Sequence, residues 1–127
     1  DGLVVPVLKD ADKRSVIEIA RELGRLGDAA RSGKITRDDL VDSTFTITSA
    51  GSIGGLLATP IPNYPEVAIL GVNQIKRKPV VRGDRIEIGD VLCLSISLDH
   101  RVVDGALGAT FLKAFRGFLE DPMAMLL

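Results

Sequence analysis

The sequence VLCLSISLDHRVVDG at residues 91–105 decides the fold, because it joins the strongest strand pattern of the chain to the start of a helix. Apolar residues alternate with small or polar ones as far as Leu98, which is typical of a buried strand. Asp99, His100, Arg101 and Asp104 then follow within six positions. Such a charged cluster between two apolar elements must be internally paired or functional.

His100 is the only histidine of the chain, so any mechanism that needs an imidazole must use it. It lies where the strand ends and the last helix is about to begin, a position in which a side chain is well held and faces a crevice. Imidazole is the side chain that most readily takes and returns a proton near neutral pH. A lone histidine is more often structural, but its charged neighbours favour a catalytic base here.

Asp104 follows His100 by four residues. In a helical turn both would lie on one face, where the carboxylate could orient the imidazole or pair with an arginine. Asp104 is equally well placed to cap the helix that follows. The two roles are compatible, and the sequence leaves both open.

Two amphipathic helices are predicted. The first begins at Ser15 and Glu18, which have capping-box spacing, and ends near Gly33. The second follows Gly105 and is stopped by a proline at position 122. Their apolar stripes are Val16, Ile19, Ala20, Leu23, Leu26 and Ala30 in the first and Leu107, Phe111, Leu112, Phe115, Phe118 and Leu119 in the second.

Several further strands are expected around these helices. Arg82-Gly83-Asp84-Arg85 predicts a hairpin turn with Gly-Asp at its centre. Pro6 limits the first strand to a sheet edge or an irregular stretch. The strand patterns, besides residues 91–98, are at residues 3–8, 44–48, 67–71, 79–81 and 86–88, and a short helical turn is expected at 36–40.

The fold class that these elements predict is α+β, since helices and strands do not alternate regularly. With 127 residues, the chain is long enough for one compact domain and too short to expect two. It starts at Asp1 without a methionine and goes almost directly into an apolar run. Residues 1–127 are therefore expected to be a single-domain piece of a longer protein.

Composition excludes several functions. A net charge of −1 provides no basic surface for nucleic acid or an anionic membrane. The single cysteine, Cys93, excludes an internal disulfide and fits a reducing compartment. One histidine and one cysteine cannot build a metal site at sensible spacing, so no metal is expected. No apolar run approaches the roughly 18 residues of a membrane helix.

The motif DHRVVDG at 99–105 resembles the signature of the acyltransferase components of 2-oxo acid dehydrogenase complexes. Residues 44–55, TFTITSAGSIGG, and 65–71, PEVAILG, are similar to further stretches of that family in order and spacing. Residues 1–7 and the final Leu126-Leu127 also resemble it. The resemblance therefore covers the whole chain.

This resemblance implies a two-layer fold shared with chloramphenicol acetyltransferase, in which helices pack on a mixed β-sheet. It implies homotrimers with active sites between subunits, assembled into a cubic or dodecahedral core. Lipoyl and subunit-binding domains, and the N-terminal half of the catalytic domain, would lie outside this chain. The decarboxylase and dihydrolipoamide dehydrogenase components would bind through those absent domains, in the bacterial or archaeal cytoplasm more than in a mitochondrial matrix.

The resemblance also implies site residues. His100 would take a proton from the attacking thiol of coenzyme A or of dihydrolipoamide on a lipoyl domain. Thr48 matches a serine whose hydroxyl stabilises the tetrahedral oxyanion in the family, and the neighbouring Ser49 is the alternative donor. Asp104 would support the histidine region. Glu66-Val67 resembles the acetyl and branched-chain types more than the succinyl type.

Two other functions stay open on the sequence. One is a catalytically silent structural core protein, although the retained His100 argues against it. The other is a free-standing acetyltransferase of the chloramphenicol type, acting on a small hydroxyl substrate.

Overall fold

The computed structural model describes residues 2–51 and 54–126. The chain divides into two compact units, Asp1–Thr44 and Phe45–Leu127. The first unit is mainly one helix, and the second carries the sheet and the predicted site. The assignment of residues 1–127 to one part of a larger catalytic domain stays a prediction.

Helix α1, Val16–Arg31, dominates the first unit. Its capping box is confirmed, since the Glu18 amide donates to Ser15 Oγ at 3.3 Å and the Ser15 amide donates to Glu18 Oε2 at 2.8 Å. The helix ends just before Gly33, which has a left-handed φ of 68°. Arg25 then ties α1 to a 3₁₀ turn at Asp38–Leu40, because its Nη2 donates to Asp39 Oδ1 at 2.7 Å.

The strand predicted at residues 3–8 is wrong. These residues form no strand in the structure. Their backbone bond to the rest of the unit runs from the Val7 amide to the Asp39 carbonyl at 2.7 Å. An extended segment becomes a strand only when another strand pairs with it, and none of the three described strands pairs with residues 3–8.

The second unit is built on a mixed three-stranded sheet in the order β1-β2-β3. The strands are β1 Thr46–Ser49, β2 Ala68–Arg82 and β3 Arg85–Leu98. β1 is parallel to β2, and β2 is antiparallel to β3. The predicted hairpin is confirmed, with Gly83 at a left-handed φ of 59° in its two-residue loop.

The long hairpin differs from the prediction in one respect. The strands expected at 67–71 and 79–81 are parts of one strand, and so are those at 86–88 and 91–98. Pairing continues along both strands, with Pro79 opposite Ile88 and an irregularity between Val72 and Ile75. Proline and charged residues suggest breaks in a sequence, but a partner strand supplies enough hydrogen bonds to carry the ladder past them.

Helix α2, Gly105–Glu120, packs on this sheet. A Cβ atom on Gly108 would lie 2.6 Å from Leu98 Cδ2, so the helix backbone rests directly on the end of β3. The Phe45 ring lies 5.6 Å from the Phe111 ring of α2. The predicted α+β class with a mixed sheet is confirmed. In the part of the chain that is described, no helix is long and apolar enough to cross a membrane.

The two faces of the sheet differ in what they carry. Paired residues of neighbouring strands share a face, and successive residues alternate. Leu98 and Phe45 therefore mark the α2 face, which also holds the fully buried Leu70. Thr48 and Ser95, both paired with Gly71, lie on the opposite face.

Candidate active site

His100 lies in the tight turn that joins β3 to α2. The Asp99 amide donates to the Val67 carbonyl at 2.8 Å, which extends the β2–β3 ladder by one step. The Val102 and Val103 amides both donate to the Asp99 carbonyl at 2.9 Å and close the turn. The His100 side chain is exposed, and its imidazole makes no hydrogen bond with residues 2–51 or 54–126. The turn thus holds His100 with its side chain open to solvent.

The charges on either side of His100 neutralise each other. Arg101 Nε donates to Asp99 Oδ1 at 2.9 Å, and Arg101 Nη2 donates to Oδ2 at 2.6 Å. The Arg101 amide adds a bond to Oδ1 at 3.0 Å. The guanidinium, and after it this amide, lower the pKa of Asp99 to about 2. Asp99 is therefore committed to Arg101 as a carboxylate.

Asp104 caps helix α2. Its Oδ1 accepts a hydrogen bond from the Leu107 amide at 2.7 Å. Within the described residues it makes no hydrogen bond to His100 or to an arginine. Of its two predicted roles, the structure shows the cap, which fixes the start of α2 at Gly105, five residues after His100.

Thr48 lies on β1, on the face opposite α2. It is half-buried, and its hydroxyl has no hydrogen-bond partner in the described part of the chain. Ser49 is paired with Val72 and, because side chains alternate along a strand, it points to the α2 face. The two candidate oxyanion donors therefore serve different faces of the sheet.

The structure does not bring Thr48 and His100 together within one chain. Thr48 pairs with Gly71, whereas Asp99 is joined to Val67, four residues away along β2. Four strand residues span about 13 Å. Thr48 also lies near the carboxyl end of β1, while His100 lies beyond its amino end. One imidazole and one hydroxyl cannot bridge that separation.

Buried polar atoms mark residues that the sequence did not single out as site residues. Both carboxylate oxygens of Glu66, Asn73 Oδ1 and Ser95 Oγ are buried and lack partners among the described residues. The Asn73 Nδ2 atom donates to the Cys93 carbonyl at 3.0 Å. Ser95 shares a row of the sheet with Thr48. The sequence carries one sign of a polar residue at this position: Ser95 and Ser97 alternate with apolar residues along the strand.

Comparison with known proteins places this architecture in a family. The family model described as 2-oxoacid dehydrogenases acyltransferase (catalytic domain) matches residues 1–127. A lipoamide acyltransferase component of the branched-chain alpha-keto acid dehydrogenase complex from Pseudomonas aeruginosa is 49% identical over 127 residues, which is 100% of this chain and 30% of that protein. A succinyltransferase component of the 2-oxoglutarate dehydrogenase complex from Bartonella vinsonii is 47% identical, over 99% of this chain and 31% of that protein.

Solved structures agree with this placement. The Azotobacter vinelandii dihydrolipoamide acetyltransferase (E2p) matches with a TM-score of 0.96 and 45% identity, over 100% of this chain and 52% of the other. A truncated catalytic core from Thermoplasma acidophilum matches with a TM-score of 0.81 and 46% identity, over 95% and 53%. The chain thus spans about half of these structures and less than a third of the curated relatives just named. It belongs to the 2-oxoacid dehydrogenase acyltransferase family.

Proposed function

We propose that the protein containing this chain transfers an acyl group between dihydrolipoamide and coenzyme A. In this proposal His100 is the general base, Thr48 the oxyanion donor and Asp104 the residue that supports the histidine region. The relatives named above are lipoamide acyltransferase and dihydrolipoyllysine-residue succinyltransferase components. Coenzyme A is a substrate, and the lipoyl group would be carried on a separate domain.

One observation carries the residue assignment. The catalytic mechanism of the Azotobacter vinelandii enzyme has been investigated at a serine, a histidine and an asparagine. By their positions in that enzyme, the histidine follows the serine by 52 residues and precedes the asparagine by four. Thr48, His100 and Asp104 have these same separations. Threonine keeps the hydroxyl of serine, and aspartate keeps the side-chain oxygen of asparagine.

The chemistry needs only a base, an oxyanion donor and two aligned thiols. The His100 imidazole takes the proton of the attacking thiol, and the thiolate sulfur bonds to the thioester carbonyl carbon. The carbonyl oxygen becomes a tetrahedral oxyanion, to which the Thr48 hydroxyl donates a hydrogen bond. The intermediate then expels the other sulfur as a thiolate, and that thiolate recovers the proton from His100.

Two copies of the chain would form each site. Within a single subunit, about 13 Å separates the Thr48 row from the Asp99 row. The Thr48 hydroxyl and the His100 imidazole of one chain therefore cannot act on the same substrate atom. The imidazole of His100 is exposed and makes no hydrogen bond within the described residues. In a closed ring of subunits it would face Thr48 of the next subunit. We propose a homotrimer, built into a larger core. One structure similar to this chain, with a TM-score of 0.96, is the cubic core of a pyruvate dehydrogenase multienzyme complex.

Asp104 would act on His100 through the backbone. Its bond to the Leu107 amide fixes the first turn of α2 and thereby the end of the turn that carries the imidazole. Only Oδ1 is used in the cap. Oδ2 makes no hydrogen bond within the described residues.

The remaining partners follow from the family. Decarboxylase and dihydrolipoamide dehydrogenase components would bind through domains outside this chain. We propose the cytoplasm as its location, with which the free thiol of Cys93 is compatible. Among acyl groups we favour acetyl or branched-chain acyl over succinyl because of Glu66-Val67, which begin the run EVAILG at positions 66–71.

An acyl-transfer assay tests the function. Free dihydrolipoamide is supplied with acetyl-, isobutyryl- or succinyl-coenzyme A, and the full-length protein is the enzyme. We expect turnover with at least one thioester and the highest kcat/KM with acetyl or isobutyryl. A correctly assembled core that transfers none of the three would contradict the proposal and favour a silent structural protein. Transfer to a small hydroxyl acceptor but not to dihydrolipoamide would instead indicate a chloramphenicol-type enzyme.

A further inference from the structure

The sheet face that carries Thr48 continues along the hairpin formed by β2 and β3. Ser95 of β3 shares a row with Thr48 and lies on this face. Beyond this row β2 contains one extra residue, whereas side chains alternate regularly along β3. Positions 93, 91 and 89 therefore lie on the same face as Ser95. The Thr48 face thus extends from the proposed site towards the hairpin loop.

Two lysines of β2 project from this face. Lys76 pairs with Val91, and Lys78 pairs with Gly89. Paired residues share a face, so both lysines lie on the side of the sheet that carries Thr48. Both side chains are exposed. Two ammonium groups therefore stand near each other on the hairpin, on the same side of the sheet as the proposed oxyanion donor.

Lys76 and Lys78 form no ion pair with residues 2–51 or 54–126, whereas the other cations of residues 45–127 are paired or lie elsewhere. The cations that face carboxylates are Arg77 with Asp90, Arg82 with Glu87, and Arg101 with Asp99. Those that lie elsewhere are Lys113 and Arg116 on α2 and Arg85 beside the hairpin loop. The positive charge of Lys76 and Lys78 is therefore available to an anionic ligand.

The distance from Thr48 to these lysines matches the length of coenzyme A. Val91 is four residues from Ser95 along β3, so the Lys76 row lies about 13 Å from the Thr48 row, and the Lys78 row lies about 20 Å from it. In coenzyme A about thirteen bonds separate the sulfur from the nearest phosphorus, and they span about 15 Å when extended. A thioester whose carbonyl oxygen is at Thr48 can therefore place its diphosphate between the two lysines.

We infer that Lys76 and Lys78 bind the phosphates of coenzyme A, an inference that rests on the proposed function. The thioester end lies at Thr48, and the pantetheine chain follows the sheet face towards the hairpin loop. The diphosphate and the ribose phosphate accept charge-assisted hydrogen bonds from the two ammonium groups. Dihydrolipoamide has no phosphate, so these lysines bind one of the two thiol substrates and not the other.

Steady-state kinetics of the full-length protein test this inference, with the acyl-coenzyme A that the wild type uses best. Lys76→Ala and Lys78→Ala should each raise its KM by about fivefold, the upper range for an exposed ion pair. The double variant should raise it by about 20-fold, since separate contacts nearly add in free energy. Neither kcat nor the KM for dihydrolipoamide should change, because the phosphate contacts are the same in the ground state and the transition state.

Two controls separate phosphate binding from other effects. Arg77→Ala removes a cation that lies between the two lysines in sequence but projects from the opposite face, so the KM for acyl-coenzyme A should stay at its wild-type value. The matching acyl-pantetheine carries the same thioester without the phosphates. Its KM should be the same for the wild type and for the double variant.

A wild-type KM for acyl-coenzyme A in the double variant would overturn the inference. An equal rise in KM with acyl-pantetheine would also overturn it, because the lysines would then act on something other than the phosphates. So would a rise in Arg77→Ala as large as that in Lys76→Ala. Failure of the proposed function is a separate result, since the wild-type protein would then transfer an acyl group from neither thioester.

Discussion

Replacing His100 with alanine is expected to lower the kcat of acyl transfer by at least about two orders of magnitude, as for loss of a general base. The imidazole is exposed and makes no hydrogen bond with the described residues, so its removal leaves no buried group unpaired. The turn around it is held by the carbonyl of Asp99 and by the cap at Asp104. The variant should therefore assemble normally and bind both thiols, which steady-state kinetics on the full-length protein would show as a nearly unchanged KM.

The controls for His100 separate chemistry from folding. The melting temperature of His100→Ala should match that of the wild type within about 2 °C, because the imidazole makes no hydrogen bond with the described residues that its removal would break. Raising the pH should recover part of the lost rate, since more thiolate forms without a base. A wild-type kcat in a correctly assembled variant would refute the assignment of His100.

Replacing Thr48 with alanine is expected to lower kcat by about 100-fold, the usual effect of removing one oxyanion donor. KM should change little, because this hydrogen bond is made only in the transition state. Thr48→Ser keeps the hydroxyl and should retain most of the activity. Both variants are measured in the same acyl-transfer assay as the wild type.

Two neighbours on β1 serve as matched controls for Thr48. Thr46 lies on the same face two residues earlier, and Ser49 lies on the opposite face. Thr46→Ala and Ser49→Ala should each stay within about threefold of the wild-type kcat, since surface and non-site changes have small effects. A larger loss of kcat in Ser49→Ala than in Thr48→Ala would assign the oxyanion donor to Ser49 instead of Thr48.

Local sequence signals predicted the parts of the fold that are held locally. The capping box at Ser15 and Glu18 and the Gly-Asp hairpin turn depend on residues a few positions apart, so they can be recognised in one sequence. The apolar run at residues 3–8 predicts a strand, and the prediction is wrong. An apolar run has the pattern of a strand even where no partner strand pairs with it. The sequence does not show that β2 and β3 are continuous strands. Pro79 suggests a break, but pairing with the partner strand continues past it.

The predicted site also has parts that local sequence signals mark and parts that depend on strand pairing. The sequence predicts His100 as the base because it is the only histidine and lies at the end of the strongest strand. Thr48 came from resemblance to a family, since nothing in its local pattern marks an oxyanion donor. The gap of about 13 Å between the Thr48 and Asp99 rows depends on strand register. A sequence without its pairing partners does not reveal register.

The proposed active site combines His100 of one subunit with Thr48 of its neighbour. Subunit complementation is the experiment that tests this arrangement. Full-length His100→Ala and Thr48→Ala variants, each nearly inactive alone, are co-expressed so that mixed trimers form. A closed ring of randomly mixed subunits would place an intact Thr48 beside an intact His100 in roughly a quarter of its interfaces.

We expect the mixture to regain up to roughly a quarter of the wild-type kcat, the fraction of interfaces with both groups intact. Mixing the variants after separate assembly, without subunit exchange, should give no recovery and serves as the control. Activity in the co-expressed mixture that stays at the level of the single variants would rule out a site shared between subunits. It would show that His100 and Thr48 must belong to the same chain to act together.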